Sequence, residues 1–110
     1  MGKTPTLELA RDLEGPFRPV EVADLDGAYH AFVVRYEGEY EQHRHPADEF
    51  IHILEGSITV EMEHHFIELN AGDSLHVPAG VLHMPRCREQ ALALIVERKG
   101  LQYLPDVQGD

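Results

Sequence analysis

The stretch Gly38–Gly56, which reads GEYEQHRHPADEFIHILEG, places two histidines, a carboxylate and a closing glycine close together. Residues two apart on a β-strand point to the same face, so His43 and His45 can direct their imidazoles to one point while Arg44 points away. The proline bend that follows allows Glu49, on the adjoining segment, to bring a carboxylate to the same point. This stretch therefore predicts most of a metal site.

A fourth donor has to come from a distant strand, and Gly72–His83, GDSLHVPAGVLH, supplies the best candidate. The turn at Pro78–Gly80 predicts a fixed register for the strand that carries His83. Three neutral imidazoles and one carboxylate make a good site for a divalent transition ion. A six-coordinate ion held by such a set keeps positions open for water, dioxygen or substrate, and open positions distinguish a catalytic site from a structural one.

Short strands with Gly and Pro punctuation account for most of the chain, which favours an all-β sandwich or barrel. The predicted strands are Ala28–Tyr36, Glu49–Leu54, Ile58–Met62, Phe66–Leu69, Ser74–Val77, Val81–Met84 and Ala91–Glu97. A polar stretch, Arg86–Gln90, is expected to separate the last two. Near the N-terminus, Leu7–Leu13 fits either a helical turn or an edge strand.

Together the two histidine stretches resemble the motifs of the cupin family, a group of small double-stranded β-barrels. The matching residues are Gly38, His43, His45, Glu49 and Gly56 in the first motif, and Gly72, Pro78, Gly80 and His83 in the second. The spacer between Gly38 and His43 is one residue shorter than is usual in the family, and Cys87 stands where the family usually has Asn. The resemblance covers about residues 30–97, most of the chain.

The resemblance implies an all-β fold, a double-stranded β-helix (jelly-roll) barrel with short N- and C-terminal extensions. It implies a single cupin domain over residues 1–110 with a core at about 28–97. The family's metal ligands fall on His43, His45, Glu49 and His83. The cofactor implied is one divalent transition ion, Mn, Fe, Zn, Ni or Cu, among which the ligand set does not choose.

Composition limits the partners that this chain can have. With 110 residues and 43% hydrophobic residues, it can form one modest core. A formal net charge of −11 would repel phosphate backbones and anionic lipid, so neither nucleic acid nor a membrane surface is an expected partner. No apolar run approaches the roughly 20 residues of a membrane span. The single Cys87 cannot form an internal disulfide, which fits a reducing compartment, and we expect a cytoplasmic protein.

The segment Phe50–Leu54 is apolar on both strand faces except for His52. A strand of this kind should be covered on both sides. The barrel interior provides one cover, and either the chain termini or a second subunit provides the other. We predict a homodimer, the commonest closed oligomer.

The remaining histidines and the cysteine have simpler structural explanations. A core or interface position is expected for His52, a core position for His30, and a solvated turn for His64 and His65. The direction of the His76 side chain is not predicted. Cys87 lies four residues beyond His83, but the intervening proline favours a buried inert thiol over a fifth metal contact.

The main functional hypothesis is a metal-dependent enzyme that acts on a small oxygen-rich molecule. Isomerisation or decarboxylation of a sugar or keto acid would use the ion as a Lewis acid, while dioxygenation would require a redox-active metal. No general base is evident, because no carboxylate besides Glu49 is placed near the site. The alternatives are a non-catalytic module that binds a small ligand or metal as a sensor and, less favoured, a metal-storage protein.

Overall fold

The computed structural model describes residues 2–100 and, for the backbone alone, the last strand. The elements in chain order are α1 (Thr6–Arg11), β1 (Val20–Leu25), β2 (Tyr29–Glu39), β3 (His43–Arg44), β4 (Glu49–Glu55), β5 (Ser57–Glu61), β6 (Phe66–Asn70), β7 (Ser74–Val77), β8 (Met84–Arg98) and β9 (Leu104–Pro105). The predicted all-β jelly-roll barrel is confirmed, and α1 is the single helix among the described residues.

The sheet is antiparallel throughout and is organised around the long strand β8. Its main path runs β1-β2-β8-β4-β7, and β5 pairs with both β6 and β8. Strand β8 pairs with β2 along most of its length, with β4 in its second half and with β5 in its first half. A separate small sheet joins β3 to β9. Because β8 touches three strands, it holds the two sides of the barrel together.

The barrel core consists of the inward-facing residues of these strands. Ile51, Ile53, Val60, Ala93 and Ile95 are almost fully buried there. A second, smaller cluster lies on the outer face of β2 and β8, where Ala10 of helix α1 and Leu13, two residues beyond its end, pack. Because successive side chains point to opposite faces of a strand, the same strands contribute to two separate apolar layers.

Strand β8 corrects the prediction that Val81–Met84 and Ala91–Glu97 are separate strands. Residues 81 and 82 are outside any strand, and β8 runs without a break from Met84 to Arg98. The polar stretch Arg86–Gln90 does not interrupt the strand, because its charged side chains lie on the solvent face. Arg86, for example, forms ion pairs with Glu39 and Glu61 of the neighbouring strands.

The outer face of β4 is only partly covered by the chain itself. Leu54 contacts the cluster under α1, and Arg11 of the helix forms an ion pair with Glu55. Phe50, at the other end of the strand, remains 41% exposed. The N-terminal helix is therefore one of the covers that the sequence predicted, and the homodimer stays a prediction. Among the described residues, no helix has the length and apolar character needed to cross a membrane.

Candidate metal centre

Four side chains from the two sequence motifs meet at one point inside the barrel. His43, His45, Glu49 and His83 each offer a ligand atom, and these atoms all lie within 4.8 Å of one another. All four residues are buried, and His83 has no solvent exposure. The arrangement therefore has the composition and the closeness of a set that could hold one metal ion.

The backbone fixes the two motifs against each other. His43 and His83 form an isolated antiparallel bridge, in which the His43 N–H donates to the His83 carbonyl at 2.9 Å and the reverse bond measures 2.8 Å. The N–H of Gly80 donates to the carbonyl of His45 at 2.8 Å. Three donor residues are thus positioned by main-chain hydrogen bonds, which depend little on side-chain identity.

Asp48, the neighbour of Glu49, connects the first motif to the turn of the second. Its Oδ1 accepts the N–H of Ala79 at 2.9 Å, and its Oδ2 lies 2.7 Å from Nε2 of His76. The hydrogen bond from His76, followed by that from the Ala79 backbone, lowers the pKa of Asp48. This carboxylate is exposed and outside the site, and its contacts hold the turn beside the strand that carries Glu49.

Hydrogen bonds to carbonyl groups set the tautomer of two of the imidazoles. Nδ1 of His43 is 2.8 Å from the carbonyl oxygen of Glu41, and Nδ1 of His83 is 2.9 Å from that of Val81. A carbonyl can only accept, so both Nδ1 atoms carry hydrogen and Nε2 becomes the ligand atom. Such outer contacts are the usual means of orienting metal-binding histidines.

Burial keeps two of the imidazoles in their neutral, ligand-competent form. Loss of hydration lowers the pKa of His43 to about 4 against the opposing hydrogen bond to the Glu41 carbonyl. Burial likewise lowers the pKa of His45, although the charge of Glu49 opposes the shift. Both rings are therefore deprotonated near neutral pH, as a metal ligand requires.

His83 and Glu49 form a close ion pair at the centre of the site. Nε2 of His83 is 3.1 Å from Oε1 of Glu49. Burial lowers the pKa of His83, but the Glu49 hydrogen bond, the Val81 carbonyl and the neighbouring carboxylate charges outweigh it, so the net shift is upward. Burial raises the pKa of Glu49, but His83 and the other two imidazoles reverse this to a net lowering. A proton therefore bridges two atoms that a metal ion would hold instead.

A second carboxylate, Glu97 on β8, was missed by the sequence analysis. Glu97 is the register partner of Glu49, and its Oε2 lies 4.0 Å from Nε2 of His45. Burial, followed by the charge of Glu49 and a hydrogen bond with it, raises the pKa of Glu97 to about 7. The signal was present in the period-2 alternation, because Ala93, Ile95 and Glu97 share one strand face.

A cavity of about 190 Å³ opens beside three of the four ligand side chains, those of His43, His45 and Glu49. Its walls include Phe17, Phe32, Val34 and Ile95, with Glu97 at one side. The Phe17 ring stacks on Tyr40 at a centroid distance of 4.6 Å. Tyr36 and Tyr40 both line this space. Phe17 had no sequence signal, because it comes from the irregular segment before β1.

The other histidines lie outside this cavity. His64 and His65 are exposed beside the β5–β6 turn, as predicted. His52 is half-buried, and its Nδ1 is 2.6 Å from Oγ of Ser74 on the neighbouring strand. His30 is also half-buried, with Nδ1 at 3.2 Å from Oε1 of the surface residue Glu21, instead of lying in the core.

Cys87 is buried in the barrel core and does not join the ligand set. Its Sγ lies 3.5 Å from the carbonyl oxygen of Ser57. Burial raises the pKa of the Cys87 thiol, which keeps it protonated and inert near neutral pH. The expected structural role of this cysteine therefore fits its position.

Comparison with known proteins gives a consistent relationship. Residues 32–97 match the Cupin domain family. A protein of Bacillus subtilis (strain 168), the uncharacterized protein YdbB, is 36% identical over 66 residues, and the match spans 58% of each chain. A cupin-2 domain containing protein from Shewanella frigidimarina is 26% identical with a TM-score of 0.80, covering 84% of this chain and 91% of that one. The DMSP lyase DddQ from Ruegeria pomeroyi is 33% identical with a TM-score of 0.62, covering 74% of this chain and 43% of that one.

Proposed function

Because this chain belongs to the Cupin domain family, we propose that it is a metal-dependent cupin in which His43, His45, Glu49 and His83 hold one divalent transition ion. The observation that carries the proposal is the convergence of four buried ligand atoms within 4.8 Å. The fixed Nδ1–H tautomers of His43 and His83 support it, since each makes Nε2 the nitrogen that would bind the ion.

The donor set is suited to catalysis as well as to binding. Three neutral imidazoles and Glu49 would leave a divalent ion with net positive charge and with open coordination positions. When bound, the ion would supply Lewis acidity or, if redox-active, access to dioxygen chemistry. The chain's own contribution is a cavity with aromatic walls that limits water and a second carboxylate, Glu97, that can accept or return a proton.

We propose that the function of the site is enzymatic, with a small molecule that bears oxygen donors as substrate. The DddQ protein, 33% identical over 74% of this chain, is by its name a lyase, which supports catalysis on this fold. This chain spans less than half of that relative, so the shared chemistry is proposed only at the level of metal-assisted turnover. A cavity of about 190 Å³ supports a small substrate.

We also propose that residues 1–110 form one cupin domain with its core at about 28–97, acting in the cytoplasm as a homodimer. The continuous antiparallel sheet over β1–β8 supports the single domain. The single cysteine supports a reducing compartment. The exposed Phe50 on a partly covered sheet face supports self-association.

Metal binding is tested on protein stripped with a chelator and then titrated with Zn²⁺ in a calorimeter. The expected result is one ion per chain. In the variant His45→Ala the affinity should fall by more than about 100-fold, beyond the effect of losing an outer contact. The matched control is His64→Ala, which removes an exposed histidine beside the β5–β6 turn and should leave the affinity unchanged. Equal affinity in His45→Ala and the parent would refute the ligand assignment.

Catalysis is tested separately, on the same protein loaded in turn with Fe²⁺, Mn²⁺ and Zn²⁺. Oxygen uptake and turnover of carbonyl compounds, diols and other small oxygenated molecules are measured against His45→Ala. Turnover that disappears in this variant supports the enzyme. Tight stoichiometric metal with no turnover across the panel favours the alternative, a module that binds a metal and a small ligand as a sensor.

A further inference from the structure

The cavity beside the ligand set offers an anion no permanently cationic side chain from the described residues. Its polar donors are the hydroxyls of Tyr36 and Tyr40 and the imidazoles. Of the described residues that line it, none is Lys or Arg, while Glu49 and Glu97 both face it. The C-terminal residues 101–110 contain neither Lys nor Arg, so they cannot bring such a side chain to it. The site therefore has two acidic groups, and its positive charge comes from a bound ion or, without the ion, from the proton that His83 shares with Glu49.

Glu97 offers the cavity an acceptor that the protein itself leaves unused. Its Oε2 is buried, and when both carboxylates are ionised, so that Glu49 has no proton to donate, it accepts no hydrogen bond from any described residue. Nε2 of His45, an imidazole that burial keeps neutral, lies 4.0 Å away. A buried acceptor without a partner is destabilising, and a ligand that donates a hydrogen bond would remove that penalty. An anionic ligand would instead place its charge beside an existing carboxylate.

The walls of the cavity fit an apolar body of limited size. Phe17, Phe32, Val34 and Ile95 line it with rings and branched alkyl groups. At about 30 Å³ for each water, the space corresponds to about six water molecules, which suits a single ring or a short chain. Contact with these walls would favour a ligand in proportion to the apolar surface that it buries.

The net charge of the site with a metal ion bound would also give anions little advantage. The two positive charges of a divalent ion would be balanced by the negative charges of Glu49 and Glu97, so an entering anion would find little net attraction. It would still lose its hydration on entering a buried site. The net charge of −11 on the whole chain adds a weak repulsion at long range.

We propose that this cavity selects a small uncharged molecule with an aromatic or alkyl body and a hydroxyl group, such as a phenol, and rejects small carboxylates and phosphate. Glu97 is the specificity residue, accepting the hydrogen bond of the ligand hydroxyl through Oε2. This inference rests on the proposed function for the position of the ion, but the walls and Glu97 are present with or without it.

The test compares phenol, benzoate and inorganic phosphate as ligands of the Zn²⁺-loaded protein near pH 8, where carboxylates are ionised. Dissociation constants come from calorimetry. Phenol and benzoate both contain a benzene ring, so the difference between their dissociation constants reports the effect of the carboxylate charge. We expect phenol to bind at least about tenfold more tightly than benzoate, since a hydrogen bond to a charged acceptor has this strength. Phosphate should not bind measurably.

The variant Glu97→Gln should bind phenol less tightly and benzoate more tightly, so that the preference for phenol over benzoate falls about tenfold or more. The matched control Glu68→Gln removes the same charge from an exposed position on β6 and should keep the parent preference. Benzoate or phosphate binding as tightly as phenol in the parent, or no phenol binding at millimolar concentration, overturns the proposal. A preference unchanged in a folded Glu97→Gln variant overturns the role of Glu97.

The metal content of each sample separates this inference from the proposed function. If the protein holds no Zn²⁺, the proposed function fails, and the phenol-over-benzoate preference is then measured on the metal-free protein. The preference is still expected there, because Glu97 and the apolar walls remain. The parent comparison requires no variant, so a Glu97→Gln protein that fails to fold leaves the selectivity itself testable.

Discussion

Glu49 and Glu97 are register partners on the adjacent strands β4 and β8, and both carboxylates face the same cavity. Their proximity moves their pKa values apart, because a like charge nearby disfavours ionisation of the second carboxyl group. The three imidazoles lower the pKa of Glu49 against the effect of its burial. Burial and the charge of Glu49 raise the pKa of Glu97 to about 7. Folding therefore favours the ionised form of Glu49 and opposes the ionised form of Glu97.

The stability of the metal-free protein should therefore decrease as the pH rises from about 6.5 to above 7. In that window the folded protein binds a proton at Glu97 that the unfolded chain, with an ordinary carboxyl pKa, has already lost. His83 acts in the same direction: its raised pKa gives stability below its unfolded value that is lost as the pH rises through its folded value. Below about 6.5 the lowered pKa values of His43 and His45 act in the opposite direction, because there the unfolded chain binds protons that the folded protein does not. Thermal melting in the presence of a chelator measures the trend.

In Glu97→Gln the loss of stability with rising pH should be smaller, and this variant should be more stable than the parent near pH 8. With allowance for partial solvent screening, the gain is about 1–2 kcal/mol, or several degrees in Tm. The exposed Glu68→Gln is the control. A Glu97→Gln protein that melts below the parent at every pH would contradict this account of Glu97.

The pH dependence of metal affinity should correspond to the release of a single proton as the pH falls below the raised pKa of His83. Among the four ligands only His83 has a raised pKa, so its Nε2 proton is the first to compete with the ion. The lowered pKa values of His43 and His45 keep both rings neutral near neutral pH. Zn²⁺ affinity, measured by competition with a chelator, should fall about tenfold for each pH unit. A slope of two or three protons would show that His43 and His45 titrate as ordinary imidazoles.

Replacing Gly56 by Ala should destabilise the barrel strongly. Gly56 has φ +76°, and an added Cβ would lie 2.4 Å from the carbonyl oxygen of Gln90 on the backbone of β8. We expect a loss of more than about 3 kcal/mol in the free energy of unfolding, from clash and strain together. Gly38 is a matched control: its φ is +73° and nothing lies within 4 Å of its added Cβ.

Gly38→Ala should therefore cost only the strain of a left-handed residue, about 1–2 kcal/mol. Urea unfolding of both variants measures the difference. Similar losses in the two proteins would mean that the strand carrying Gln90 can move away, and that the close packing at Gly56 does not limit the fold.

Self-association should depend on Phe50. This side chain is 41% exposed on the outer face of β4, where helix α1 does not reach. The variant Phe50→Glu should raise the dimer dissociation constant at least about tenfold, because it places a charge in an apolar contact. Sedimentation velocity measures this. Phe66→Glu, at a residue 71% exposed on β6, is the control and should leave association unchanged. A parent protein that is monomeric at all concentrations removes the homodimer from consideration.

The strand that carries Glu49 could be predicted from local rules, since β4 was expected at Glu49–Leu54 and runs over Glu49–Glu55. The short strand β3 that carries His43 was not predicted, and His45 and His83 lie outside the named strands. Alternation along a strand places His43 and His45 on one face, and the bounds of β7 were predicted without error as Ser74–Val77. Strand β8 was misread because a polar sequence such as Arg86–Gln90 fits a loop as well as a strand whose charged residues face solvent. Only pairing with β2 and β5 distinguishes the two.

The sequence alone determined which residue types could meet, since the spacing of two His-containing motifs around fixed turns limits where imidazoles and one carboxylate can point. Tertiary structure decided what surrounds them. Glu97 stands opposite Glu49 only because β8 pairs with β4 in one register, and Phe17 enters the cavity from a distant irregular segment. Contacts between residues far apart in the chain depend on strand pairing across the whole sheet, and no local pattern encodes that pairing.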